Sequence, residues 1–412
     1  MENNKKSFWK RISAIILSSF LLFAKGDGLT SAHVLPDPEA PKISSEMNAE
    51  EMKNFYNLKK HFEGLEQSAE QVISLEDTFS TPVDGEVCDT MVPQGLAIKD
   101  GLILVTAYDG INGYKEELKL HSYKKEYREK LAKENDHKVH NSVIIVLDQK
   151  TKKVITTLEL SDRNHVGGIA VDDENVYIAK SADEKISVIS FDKIKSLVKL
   201  GLDQGVKSAK VDYDYDLDVK QDASFISIRH TNSGEEQLVV GTWHPFPGVS
   251  KIGIYDFGNN NNLTLSQEFQ TNSSANGATF IRRDDKEYFI VACSLGRLLN
   301  SNMYVYEVDE GIDGKLSMDF RSQTALPPMV EELAEFEDED GTRKLAIGSE
   351  AFSKRYEIGK SKVISDGIII AKLDNVLDRR NKPKRVLSLE DIYKEDNDDV
   401  KVVSEEEDER GE

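Results

Sequence analysis

Residues 165–190 read HVGGIAVDDENVYIAKSADEKISVIS, a glycine-marked lead segment followed by short runs in which apolar and polar residues alternate. Such alternation indicates β-strands, because successive side chains of a strand point to opposite faces of the sheet. The pattern occurs five times, with lead segments at residues 93–95, 165–168, 223–225, 275–278 and 329–332. A strand-only repeat of roughly 45–60 residues predicts an all-β protein folded as a β-propeller, with five blades favoured and six as the alternative.

The two ends of the repeat region carry nearly the same string, VISLED at residues 72–77 and VLSLED at residues 386–391. Both have the pattern of a blade's outermost strand. A propeller avoids an open sheet edge when one terminus supplies the outer strand of a blade that the other terminus built. We therefore predict that one of these segments closes the ring. The other outer strands are predicted at residues 154–160, 211–219, 263–269 and 316–320.

The segments outside the repeats predict an exported protein. Residues 1–32 place basic residues before an apolar run at 12–24 and small residues at 30–32. This order is typical of a cleaved signal peptide, and only its retention would attach the chain to a membrane. Residues 33–70 are predicted to be a linker and an amphipathic helix (49–70), residues 71–390 the propeller, and residues 391–412 an acidic, disordered tail.

The charge of the chain limits its partners. The formal net charge is −21, and without residues 1–32 it becomes −24, with 48 basic and 72 acidic side chains. A surface this acidic repels phosphate backbones, so nucleic acid is excluded as an expected partner. We expect a monomer. Its expected partner is a small-molecule or peptide ligand, or a cell-surface protein.

The two cysteines, Cys88 and Cys293, allow two interpretations. Export would permit a disulfide between them, which would close a long loop. The alternative is two unpaired thiols, with Cys293 buried in a strand. No CxxC motif and no Cys/His metal-binding spacing occurs in the sequence.

The predicted blade order places two sets of loops on one face of the ring. These are the lead segments and the connections between the second and third strands of each blade, and propellers usually bind ligands on such a face. The predicted ligand contacts are Gln94, Tyr108, Asp109, His165, Trp243, His244, Arg297, Glu350, Arg355 and Tyr356.

Several of these side chains have a structural alternative to a functional role. His165 suits a general base or a ligand contact, or else a hydrogen bond to a neighbouring blade. Arg297 suits a carboxylate or phosphate clamp, or else an ion pair between blades. Trp243 suits stacking on a sugar or another ring, or else covering the core.

Glutamates provide the carboxylate cluster predicted on this face. Paired carboxylates can perform acid/base hydrolysis, or they can hold a hard cation such as Ca²⁺ with amide oxygens. The candidate catalytic residues are His165, Glu331, Glu332 and Glu350, and the candidate cation ligands are Asn276, Glu331 and Asp109.

The connection at residues 111–141 is long for a loop, and residues 115–133 within it have a helix-compatible composition. We predict a helical insertion that either acts as a lid over the ligand-binding face or decorates the rim.

Two further motifs do not support metal sites. Residues 212–218 (DYDYDLD) resemble a calcium loop, but Leu217 stands where such a loop needs glycine and Ala223 where it needs glutamate. Their alternation predicts a strand with the aspartates outside. His137 and His140 are three residues apart, as on one face of a helix, but their charged, loop-like neighbours disfavour a metal site.

The strings PQG (93–95), HVGG (165–168), SLGR (294–297) and PPMVEE (327–332) resemble a group of uncharacterised secreted β-propeller proteins of Gram-positive bacteria. The wider similarity is to lactonase-like and WD40-like propellers, over about residues 85–375. This resemblance implies a protein that is secreted or located on the cell surface of a Gram-positive bacterium. It also implies a central divalent cation held by Glu, Asn and Asp, for which Asn276, Glu331 and Asp109 have the matching residue types.

We expect an extracellular binding module that captures a small polar or peptide-like ligand, or a partner, at the mouth of the channel. One alternative is a metal-assisted or carboxylate-dependent, lactonase-like hydrolase. Another is a cell-surface scaffold without a small ligand.

Overall fold

The computed structural model describes residues 65, 69–74, 81–83, 85–88, 90–110, 140–181, 184–245, 248–296, 300–312, 314–351, 353 and 367–381. The strands are β1 (Ala69–Ser74), β2 (Thr81–Val83), β3 (Glu86–Cys88), β4 (Met91–Lys99), β5 (Leu102–Asp109), β6 (Val143–Asp148), β7 (Val154–Glu159), β8 (Gly168–Val171), β9 (Asn175–Lys180), β10 (Lys185–Ser190), β11 (Ser208–Lys210), β12 (Tyr215–Asp218), β13 (Phe225–His230), β14 (Glu236–Gly241), β15 (Ser250–Phe257), β16 (Leu263–Thr271), β17 (Ala275–Arg283), β18 (Lys286–Cys293), β19 (Ser301–Glu310), β20 (Leu316–Leu326), β21 (Val330–Glu337), β22 (Arg343–Ser349) and β23 (Gly367–Lys372). The helices whose bounds are described are α1 (Phe191–Gln204) and α2 (Leu373–Asp378).

The strands form five blades, which confirms the predicted all-β, five-bladed propeller. Blade one contains β4–β7 with β11 paired parallel to β7, blade two β8–β10 with β12, blade three β13–β16, blade four β17–β20, and blade five β21–β23 with β1, while β2 and β3 form a separate two-stranded sheet. The first strand of each blade contacts the first strands of both neighbouring blades, and β21 contacts β4 to close the ring. The predicted outer strands of blades one to four correspond to β7, β12, β16 and β20.

The N-terminal strand closes the ring. β1 pairs antiparallel with β23, with Val72 opposite Ile369 and Ser74 opposite Gly367, so the first of the two similar strings lies at the closure. Glu70 adds ion pairs to Lys344 of β22 and Lys372 of β23. The predicted helix at 49–70 extends too far, because pairing with β23 draws residues 69 and 70 into a strand.

Several predicted features lie outside the described residues. These are the signal peptide (1–32), the linker, most of the helix at 49–70, the insertion except residues 140 and 141, the string at 386–391 and the tail at 391–412. No helix in the described part of the chain is long and apolar enough to cross a membrane.

The apolar core lies between neighbouring blades. One buried cluster joins blade five to blade one, and others join blades one and two, two and three, and three and four. Strand pairing within blade two confirms the predicted alternation at 212–218, where Leu217 is buried and the aspartates on either side are exposed. Cys88 and Cys293 are both buried and are not joined in a disulfide.

Helix α1 was not predicted from the sequence. Its buried residues Phe191, Ile194, Val198 and Gly201 recur at helical spacing. They pack against blades one and two, where Gly201 approaches Ile155. The helix ends at Gly205, whose left-handed backbone lets its N–H bond the carbonyl of Gly201.

The first strands lie so close together that glycine is required where they meet. A Cβ atom added at Gly168 of β8 would lie 2.6 Å from the backbone nitrogen of Ile226 in β13. One added at Gly277 of β17 would lie 2.5 Å from the carbonyl oxygen of Glu331 in β21. Neither neighbour is the end of a flexible side chain, so the backbone itself would have to move.

A buried ion pair links blades three and four. The Arg229 guanidinium donates to both carboxylate oxygens of Glu287 at 3.0 and 2.8 Å and to Gln237 at 2.7 Å. Glu310, which is partly exposed, accepts a further bond at 3.1 Å. These hydrogen bonds compensate the buried charge of Arg229, which is 1% exposed. Glu287, its main partner, is therefore important for stability.

We expect Gly168→Ala to lower the free energy of unfolding by about 1–3 kcal/mol, because the added methyl group overpacks the wall of the channel. Gly348→Ala is the matched control, since a Cβ atom there would be 3.6 Å from its nearest neighbour, an ordinary contact. Urea unfolding of both variants measures the difference. Equal stability of the two variants would contradict the argument.

We expect Glu287→Ala to cost about 3–5 kcal/mol, because it leaves Arg229 buried without its main counter-charge. Glu310→Ala removes a partly exposed partner of the same guanidinium and should cost about 1 kcal/mol or less. Chemical denaturation measures both changes, and the ion-pair argument fails if the Glu310 variant is the less stable one.

Candidate functional site

β-Bulges in three first strands present polar side chains at the mouth of the channel. Strand pairing shifts register between Pro93 and Leu96 in β4, between Ala275 and Gly277 in β17, and between Val330 and Leu333 in β21. The residues within these irregularities are Gln94 and Gly95, Asn276, and Glu331 and Glu332. A bulge redirects side chains away from the regular alternation, which is why bulges are common beside functional sites.

Gln94 links blades one and five at this mouth. Its side-chain amide is buried and donates to Glu350 Oε2 at 3.0 Å and to the carbonyl oxygen of Pro93 at 2.9 Å. Glu350 follows the last residue of β22 and is half-buried. The amide therefore holds one face of the Glu350 carboxyl group and leaves part of that side chain open to solvent.

Glu331 completes a pair of carboxyl groups. Its side chain is 6% exposed, and it hydrogen-bonds both Glu350 and the side chain of Asn276. Burial raises the pKa of Glu331 well above its usual value, and the neighbouring Glu350 charge raises it further, while the hydrogen bond from Asn276 opposes the rise. A hydrogen bond between two carboxyl groups requires a proton on one of them, and the raised pKa of Glu331 favours Glu331 as the residue that holds it.

Glu332 serves the wall of the channel rather than the mouth. Its side chain is completely buried, and Oε1 accepts the backbone N–H of Leu333 at 3.2 Å. Burial raises the pKa of Glu332, while the backbone amides of Leu333, Ile226 and Ala278 lower it. Oε2 has no hydrogen-bond partner among the residues that the structure describes. Among the candidate catalytic residues, Glu332 is thus placed for a structural role.

Tyr108 and His165 lie beside an apolar cluster at the same mouth. Their ring centroids are 4.5 Å apart, and His165 is exposed. Tyr108 packs against Val92, Met329 and Ala351, which are near neighbours in sequence of Gln94, Glu331 and Glu350. The cluster therefore gives the polar group an apolar border.

Trp243 and His244 lie on the connection after β14. The Trp243 side chain is 39% exposed, and its indole N–H points to the carbonyl oxygen of Ser294 at 3.4 Å. The backbone N–H of His244 donates to Ser250 Oγ at 3.3 Å. The first bond ties the loop to blade four and the second ties it to β15 of its own blade, while part of the Trp243 side chain remains accessible to solvent.

The three residues predicted to bind a cation lie in two separate groups. Asp109 accepts hydrogen bonds from Thr90 Oγ1 at 2.7 Å and from the backbone N–H of His140 at 2.9 Å. Asn276 and Glu331 instead belong with Glu350. The contacts thus do not support one ion bound by Asn276, Glu331 and Asp109. The remaining predicted contacts, Arg297, Arg355 and Tyr356, lie outside the described residues, as does His137.

The pair formed by Glu331 and Glu350 can accept hydrogen bonds or a positive charge from a ligand, and it can also exchange a proton. Its geometry differs from that of glycosidases, which keep their two carboxyl groups about 5–10 Å apart. Two carboxyl groups in direct contact resemble instead a proton-sharing dyad. We refer to Glu331 and Glu350 below as the carboxyl dyad.

Comparison with known proteins adds little beyond the fold. No protein-family model and no curated protein matches the chain. Among solved structures, an α-L-arabinofuranosidase from Clostridium thermocellum is similar at 10% sequence identity and a TM-score of 0.37, over 68% of this chain and 88% of that chain. At this level we draw no conclusion about activity. The resemblance to secreted Gram-positive and lactonase-like propellers is supported only as far as the propeller fold.

We expect Glu331→Gln to change how stability depends on pH. The pKa of Glu331 is raised in the folded state, so this state binds its proton more tightly, and the stability contributed at low pH is lost as pH rises above the unfolded value of 4.5. Glutamine carries no titrating proton. Relative to the variant, the wild type should lose up to about 1.4 kcal/mol per pH unit between about pH 5 and pH 7.

Denaturant unfolding across this range provides the measurement. Glu337→Gln, which changes an exposed carboxyl group at the other end of β21, is the control and should leave the pH dependence as in the wild type. Parallel profiles for the wild type and Glu331→Gln would show that the dyad does not hold a proton.

Proposed function

We propose that this chain is an exported binding protein that takes a small polar ligand at the mouth of the propeller channel. The carboxyl dyad carries the proposal, because a partly open pair of carboxyl groups is a strong hydrogen-bond acceptor. Export is inferred from residues 1–32 alone.

The chemistry of the dyad narrows the class of ligand. Two carboxyl groups that share one proton carry about one negative charge between them. A ligand with an amino group, such as a free amino acid or a short peptide, could replace that proton with its own positive charge. An anionic ligand would meet like charge in a poorly solvated place, which is unfavourable.

The surroundings support a compact ligand with a polar head and an apolar part. Gln94 and Asn276 already orient the two carboxyl groups, so little ordering is needed when a ligand binds. Tyr108 and His165 offer ring surfaces beside them. Aromatic rings next to a few convergent polar groups are usual in small-molecule sites.

A hydrolase is the second candidate, and one observation favours it. A carboxyl group that stays protonated near neutral pH can act as a general acid, while its ionised partner acts as a base. Glu331 would then be the acid and Glu350 the base. A peptide-like ligand would be the substrate in this case.

The test is a thermal-shift and calorimetric screen of the full chain. The probes are free amino acids, dipeptides and polyamines, with polyols as neutral compounds and dicarboxylates as anionic controls. We expect amines to bind near pH 7 with release of a proton, detected as a dependence of the heat on the buffer. Affinity should fall as pH is lowered, because protonation of the dyad removes its charge.

Variants assign the binding to the dyad. Glu350→Gln and Gln94→Ala should each weaken amine binding at least tenfold, while Glu337→Gln should not. Equal binding by all three variants, or no binding of any amine, would overturn the proposal. Cleavage of the dipeptides that depends on Glu331 would establish the hydrolase instead.

A further inference from the structure

A second cluster of metal-binding side chains lies at the base of the insertion, apart from the carboxyl dyad. Cys88 ends β3, Asp109 ends β5, and His140 precedes β6. All three residues are buried, and one ligand atom from each lies within 4.8 Å of the other two. Among the His, Cys, Asp and Glu residues that the structure describes, this is the group of three whose ligand atoms lie this close together.

The carboxylate of this cluster is already oriented by other contacts. Thr90 Oγ1 donates to Asp109 Oδ1 at 2.7 Å, and the backbone N–H of His140 donates to Oδ2 at 2.9 Å. Thr90 Oγ1 is also 3.3 Å from the sulfur of Cys88. Thr90 thus touches two of the three side chains, as do the outer residues that position metal ligands in many proteins.

His140 carries an unexplained polar atom. The residue is 8% exposed, and its buried Nδ1 has no hydrogen-bond partner among the residues that the structure describes. An unsatisfied buried nitrogen is destabilising, and native proteins seldom retain one without a reason. A neutral imidazole nitrogen of this kind is an available metal ligand.

We propose that Cys88, Asp109 and His140 bind one Zn²⁺ ion. A thiolate, an imidazole and a carboxylate form a ligand set that zinc prefers, whereas Ca²⁺ and Mg²⁺ select oxygen ligands. Zinc is normally four-coordinate, so water or another group takes the fourth position. This site shares only Asp109 with the calcium set expected from the sequence, and it shares no residue with the proposed ligand-binding dyad.

The same three residue types could suggest a nucleophilic cysteine, but the contacts disfavour that. In a cysteine–histidine–aspartate triad the carboxylate accepts a hydrogen bond from the imidazole and so orients it. Here Asp109 accepts the backbone N–H of His140, and the ring Nδ1 has no hydrogen-bond partner in the described part of the chain.

The position of the cluster suggests what the metal does. Asp109 and His140 stand at the two ends of the insertion, and Cys88 lies on the chain segment that leads into β4. One ion bound to all three would fasten both ends of the insertion to blade one.

Metal titration of the full chain tests the proposal. Protein purified under reducing conditions and treated with a chelator is titrated with Co²⁺ as a spectroscopic probe and then with Zn²⁺. We expect one equivalent of Co²⁺ to give a thiolate-to-cobalt charge-transfer band, and one equivalent of Zn²⁺ to remove it. Zn²⁺ should also raise the melting temperature.

Single substitutions identify the ligands. Cys88→Ser should abolish the charge-transfer band, and His140→Ala should weaken Zn²⁺ binding at least tenfold. Thr90→Val should weaken binding by about 10–100-fold through the orientation of Asp109. Cys293→Ser is the matched control, because it changes the other buried free thiol and should leave binding intact.

Three outcomes would overturn the proposal: no stoichiometric binding by the wild type, a band that survives in Cys88→Ser, or loss of the band in Cys293→Ser alone. The wild-type stoichiometry remains decisive even if a variant fails to fold. Because the dyad contributes no ligand to the metal, each proposal has its own readout: zinc binding can be found without amine binding, and amine binding without zinc binding.

Discussion

The close approach of five first strands around one axis is the constraint on which the rest of the structure depends. Where β8 meets β13 and β17 meets β21, the backbones lie too near for a Cβ atom at Gly168 or Gly277. Regular alternation would send half of each first strand's side chains towards that crowded axis. Bulges in β4, β17 and β21 interrupt the alternation at the mouth, and the polar residues gather there.

Adjacent glutamates acquire different roles from the same constraint. Glu332 is completely buried next to the amides of Ile226 and Ala278, so its carboxyl group interacts with the backbone inside the wall of the channel. Glu331 meets Glu350 and Asn276, where one side of the group remains open. Burial raises the pKa of both residues, but only Glu331 has a second carboxyl group with which to share its proton. The difference between a structural and a functional carboxyl group is therefore set by neighbours, not by residue type.

Much of the fold could be predicted because it depends on patterns among residues that are close together in the sequence. Strand alternation indicated five blades, and two similar strings indicated closure by a terminus, although their near-identity could not show which one closes the ring. Helix α1 was not predicted, although its buried residues recur at helical spacing. The alternating pattern of the strands on either side of it dominates this part of the sequence. The convergence of Gln94, Glu331 and Glu350 followed from blade order, whereas the proton shared by the dyad depends on burial and distance. Cys88 and His140 were not associated, because 52 positions separate them in the sequence.

The two proposed sites are physically connected through blade one. Tyr108, which precedes Asp109, packs against Met329 and Ala351, which flank the residues of the carboxyl dyad. A metal ion held by Asp109 would limit the movement of β5 at the point where Tyr108 meets that cluster. A ligand bound at the dyad would limit the movement of the same apolar cluster, on the side of Met329 and Ala351. Two ligands that order a shared element each lower the ordering cost of the other, and this coupling is equal in both directions. Zinc would thus favour ligand binding without contacting the ligand.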